Sequence, residues 1–71
     1  MRYLVIIEQA NTSWGAYVPD LPGCVAAGES REEVVELIRE AIDIHIEGMR
    51  EHGEVIPQPS TDVEFIETSA A

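Results

Sequence analysis

The stretch from residue 31 to residue 52 constrains this chain more than any other, because both ends of a helix are written into it. Ser30 stands three residues before Glu33, the S-x-x-E spacing of a capping box, in which the serine hydroxyl accepts from a first-turn N–H and the glutamate reaches back. Glu29, Glu32 and Glu33 place negative charge at the positive end of the helix dipole. Arg50 and His52 fall in the last turn, and Gly53 stands where a left-handed C-terminal cap belongs. The spacing predicts one helix of about six turns.

Set at about 100° per residue, this segment divides cleanly. Val34, Val35, Leu37, Ile38, Ala41, Ile42, Ile44, Ile46 and Met49 share one arc, and the opposite arc is filled by Glu32, Glu33, Glu36, Arg39, Glu40, Asp43, Glu47 and Arg50. The apolar arc is about 200° wide, whereas a helix on one sheet needs a stripe somewhat over ~100°. One flank is therefore expected to meet a second subunit, with Ile44, Ile46 and Met49 as the candidate interface. His45 lies near the centre of the arc, which suits either a core histidine bonded to backbone or a partner contact.

The rest of the chain reads as strands. Residues 2–8 (RYLVIIE) are a continuous apolar run too short for a helix, the pattern of a central strand buried on both faces. A polar turn at 9–13 leads to a second strand at 14–18, and a third occupies 24–27, ended by Gly28. Between them Pro19-Asp20-Leu21-Pro22-Gly23 dictates a tight, preset turn. Pro57 and Pro59 forbid helix in the return after Gly53, and residues 62–67 (DVEFIE) alternate as a final strand. The fold class is α+β in the order β-β-β-α-β: a three-stranded antiparallel meander plus a fourth strand, with one long helix packed on one face. A right-handed crossover gives sheet order 3-2-1-4; the fourth strand beside the third is the alternative. The domain is expected over 1–67, with a flexible tail at 68–71.

At 71 residues the chain is one thin domain, burying about 60% of the surface its unfolded form exposes. Cys24 is its single cysteine, so no intrachain disulfide is available, and no Cys/His set has the spacing of a structural zinc site. Oligomerisation, as a dimer or tetramer, is the remaining route to stability. Neither a signal peptide nor a membrane span is expected, which points to a cytoplasmic protein without membrane association.

Charge narrows the function classes. Fourteen acids against four arginines and no lysine give −10, which opposes direct nucleic-acid binding and favours encounter with a basic partner. Chemistry is not in view: Glu8, Asp20 and Glu64 flank turns or face solvent, the helix acids lie away from the sheet, and no glycine-rich loop opens the helix. Cys24 on a strand reads as a small buried hydrophobe. His45 and His52, seven apart, miss the i, i+4 spacing of a helical metal pair. No enzyme activity, cofactor or metal site is expected. Trp14 and Tyr17, three apart on one strand, point to opposite faces, so at least one aromatic faces away from the helix.

The run WGAYVPDLPGC at 14–24, followed by AGESREE at 27–33 and the return GEVIPQPS at 53–60, resembles the N-terminal domain of HicB-family antitoxins. The resemblance covers residues 1 to about 65. It implies a truncated RNase H-like fold without nuclease residues, and as partner a small basic HicA-like RNA-cleaving toxin that the antitoxin covers without catalysis. Many members of that family continue into a DNA-binding domain, and none is expected here after the fourth strand. Trp14, Tyr17, Asp20, Leu21 and Pro22 are the candidate partner-binding residues, since the turn is rigidified by its prolines and loses little entropy on docking. The competing class is an oligomeric structural or small-molecule-binding domain with no toxin partner.

Overall fold

A computed structural model describes residues 1–70. Three strands, β1 (Ile6–Gln9), β2 (Trp14–Tyr17) and β3 (Val25–Gly28), precede one helix, α1 (Arg31–Glu51), and form an antiparallel sheet in the order β1-β2-β3. The helix matches its sequence signals at both ends. Ser30 is extended and its hydroxyl accepts from the Glu33 N–H at 3.1 Å, while the Glu33 carboxylate accepts from the Glu29 N–H at 2.7 Å. At the far end Gly53 takes φ +68°, the Glu54 N–H donates to the Met49 carbonyl and the Gly53 N–H to the Arg50 carbonyl. That is the paired closure of a Schellman cap, and the His52 imidazole bonds the Gly48 carbonyl beside it.

Directly opposed residues of an antiparallel sheet share a face. Ile7, Ala16 and Ala26 form one row, and Gln9, Trp14 and Gly28 the next, on the side that meets the helix. The core consists of Ala16, Val18, Leu21, Cys24, Val34 and Ile38, with Tyr3, Val5, Ile7, Trp14, Ala26, Ala41, Ile42 and Ile46 packed around it. The helix lies chiefly over β3 and β2 and touches β1 far less. Its far flank, Val35, Arg39 and Ile42, therefore overhangs Tyr3, Val5 and Ile7 across an open groove of about 410 Å³.

Two expectations are corrected here. Strand β1 is an edge rather than a central strand: it begins at Ile6, its outer edge pairs with nothing among the described residues, and residues 3–7 are half-buried rather than buried. The expected fourth strand at 62–67 is not formed among the described residues. Beyond Val63 the chain leaves the body, with Phe65 91% and Ile66 77% exposed, and the segment joins no ladder despite its alternating pattern. The tail expected at 68–71 includes Ala71, which lies outside the described residues.

Candidate functional site

The segment joining β2 to β3 is two consecutive β-turns, each with proline at its second position. The Leu21 N–H donates to the Val18 carbonyl at 3.1 Å across Pro19-Asp20, and the Cys24 N–H donates to the Leu21 carbonyl at 3.0 Å across Pro22-Gly23. Gly23 at φ +86° supplies the left-handed residue that a type II turn requires. A third bond, from the Val18 N–H to the Cys24 carbonyl at 3.2 Å, closes the base of the loop. The double turn drives Leu21 inward, where it is fully buried against the helix layer.

Asp20 faces the other way, towards the C-terminal return. Its Oδ2 accepts from the Ser60 N–H at 2.9 Å and the Thr61 N–H at 3.0 Å, and its Oδ1 accepts from the Thr61 hydroxyl at 2.6 Å and the Ser60 hydroxyl at 3.1 Å. Four donors favour the ionised form, the Thr61 hydroxyl most, then the Ser60 and Thr61 amides, and hold the carboxyl at about 2 against an ordinary 3.8. The Tyr3 hydroxyl donates to the Pro57 carbonyl, giving the return a second tie.

On the side away from the helix, Ile6, Tyr17 and Val25 stand in one cross-strand row, with Glu8, Gly15 and Ala27 in the next. No described element covers this face: Tyr17 is 42% and Val25 64% exposed. The result is an apolar patch bordered by acid, on a chain whose charge is −10. A surface of this kind binds by burying its aromatic and aliphatic side chains while the surrounding field attracts cations.

The candidate residues named from sequence do not form one surface. Tyr17 is on the open outer face, whereas Trp14 is half-buried on the helix side, packed against the core. Asp20 holds the return, Leu21 is wholly inside, and Pro22 is exposed at the tip of the second turn. On the helix, Ile44 is 72% exposed between Asp43 and Glu47, while Ile46 packs on the core and Met49 is half-buried. Val25 and Ile6 were missed because their alignment with Tyr17 depends on strand register. Ser60 and Thr61 were missed because nothing local links them to an acid forty residues away.

Among the described residues no three ligating side chains gather as a metal site would require. Cys24 is buried, and burial pushes its thiol up, away from the thiolate a nucleophile needs. Among the described residues no helix is long and apolar enough to cross a membrane.

Residues 3–70 match the model of the HicB-like antitoxins of bacterial toxin–antitoxin systems. The chain belongs to this family. It is 37% identical to Antitoxin HicB 2 of Photorhabdus laumondii across its whole length, which corresponds to 52% of that protein. A 14.9 kDa protein encoded in the rep-hol intergenic region of Haemophilus phage HP1 is 39% identical over 93% of the chain and 50% of its own length. This HicB-like chain thus spans about half the length of these two relatives. It spans 91% of UPF0150 protein Ta0767 of Thermoplasma acidophilum, to which it is 36% identical.

Proposed function

We infer that this HicB-like protein is the antitoxin of a toxin–antitoxin pair and neutralises a small, basic, HicA-like RNA-cleaving toxin in the cytoplasm by covering it, without catalysis. The observation that carries this reading is the uncovered apolar row Ile6, Tyr17 and Val25 on a family member of charge −10. Cys24 is buried and its thiol pushed up, which fits a packing role for this side chain. The meander followed by a helix supports a truncated RNase H-like arrangement.

Within this reading the partner surface centres on Tyr17 and Val25 rather than on the Trp14–Leu21 side. Asp20 contributes by fixing the return and Leu21 by holding the turn in place. Pro22 and the tip of the turn border the docking surface. The test is calorimetric titration against a purified basic HicA-like toxin, with wild type, Tyr17→Asp and Val25→Asp. Tight wild-type binding that weakens steeply with salt, and is lost in both folded variants, is expected. Undiminished binding by both variants would place the interface elsewhere, and a wild type that does not bind would remove the antitoxin role.

A further inference from the structure

We propose that residues 62–67 form the missing fourth strand in trans, adding to the free outer edge of β1 in a second copy of this chain, with the exchange reciprocal between the two copies.

Four observations converge on this. First, the segment alternates as a half-buried strand does, with Val63 and Phe65 on one side and Asp62, Glu64 and Ile66 on the other. Its apolar groups are nevertheless left in water: Val63 53%, Phe65 91% and Ile66 77% exposed. Second, the neighbouring edge is empty in a way that fits it. β1 is four residues long, about 13 Å, and six residues of strand span about 20 Å, so the segment covers that edge with two residues to spare, and an added strand there would bring Val63 and Phe65 to the open groove under Val35, Arg39 and Ile42. The overhanging flank of α1 would then have a sheet beneath it.

Third, the chain is held at its root and points away. The Asp20 bonds to Ser60 and Thr61 pin the return, and residues 59–63 pass beside Arg2, Tyr3 and Leu4, which precede β1. From there the segment runs outward instead of doubling back along its own strand. The molecule is 48 Å long, against about 32 Å for its 21-residue helix. Its radius of gyration is 14.2 Å, where a self-closed chain of this length gives roughly 11 Å.

Fourth, the area matches. The chain exposes 5607 Å², whereas a closed monomer of its 7.8 kDa mass exposes roughly 4,400 Å². The excess, roughly 1,200 Å², exceeds the ~800 Å² per partner of a standard interface. A second copy supplies both the empty edge and the loose strand, so one twofold contact satisfies two of each.

The test uses the full chain without any toxin, comparing wild type with the double variant Glu64→Pro/Phe65→Pro. Successive N–H groups of a strand point to opposite edges, so the pair removes whichever one the ladder needs, and neither residue touches the core or the Asp20 bonds. Sedimentation is expected to give twice the 7.8 kDa chain mass for wild type and the single-chain mass for the variant, with helix content unchanged by circular dichroism. Amide exchange in 62–67 should be slowed in wild type and fast in the variant. Because each copy carries −10, the wild-type dimer should tighten as salt rises. A wild type of single-chain mass overturns the proposal, whether its 62–67 amides exchange freely or are protected by pairing within the chain. So does a double-mass species that survives in the proline variant, because the interface then lies elsewhere.

Discussion

Replacing Leu21 by alanine separates a core role for the β2–β3 turn from a docking role. Leu21 is fully buried, in a cluster with Ala16, Val18, Cys24, Val34 and Ile38. Truncation removes the transfer free energy of the lost atoms and leaves a cavity whose walls are two proline-braced turns and a helix, which collapse poorly. The cost expected is therefore in the ordinary range for buried leucine, about 2–5 kcal/mol. A domain of this length has roughly 4–11 kcal/mol in total, so the variant should lose a large share of it. At ~3 kcal/mol the thermal midpoint should fall by roughly 12–24 °C. Urea unfolding followed by circular dichroism measures the difference directly, and Pro22→Ala, at an exposed position of the same turn, is the control and should change stability by less than about 1 kcal/mol. If Leu21→Ala unfolds within 1 kcal/mol of wild type, the turn is not anchored by this side chain and the packing described for it is wrong.

Other perturbations have definite signs. The Asp20 carboxyl is lowered in the folded state from 3.8 to about 2, so its contribution is fully present above about pH 4 and is lost as pH falls through about 2. Amide exchange at Ser60 and Thr61 should accelerate across that window in wild type and be fast at every pH in Asp20→Ala. A Cβ on Gly28 would lie 2.8 Å from the Glu33 carboxylate and 3.2 Å from the Val34 nitrogen, so Gly28→Ala should destabilise by about 1–3 kcal/mol in urea melts. Gly48, in the last turn of α1 with open space around it, should behave oppositely, Gly48→Ala raising stability by up to about 1 kcal/mol. Ser30→Ala removes the bond to the Glu33 N–H and should cost about 1 kcal/mol by the same measurement.

The helix was legible almost to the residue, because its determinants are local: Ser30 with Glu33 at one end, Gly53 at the other, and a periodic face between them. The three strands and the opposite facing of Trp14 and Tyr17 followed from short-range patterns as well. Leu21 was misplaced because two prolines and an aspartate around it read as surface, whereas the double turn they create points the one apolar side chain inward. The continuous apolar run of residues 2–8 suggested a central strand, yet β1 is an edge of the isolated chain. A strand apolar on both faces declares that something must cover it but not which chain supplies the cover. The DVEFIE segment has the same ambiguity in reverse, since alternation makes a sequence competent to pair without naming the edge it pairs with. Tyr17, Val25 and Ile6 became a single surface only once the register was fixed.

The central claim is that this chain silences a basic RNA-cleaving toxin by covering it with the open face of its sheet, and the most direct measurement is toxin-catalysed RNA cleavage while the purified chain is titrated in. Cleavage by a purified basic HicA-like toxin should fall to background at a fixed stoichiometry with wild type, and should persist undiminished with the folded variants Tyr17→Asp and Val25→Asp. Cleavage that continues at saturating wild-type protein would contradict the account.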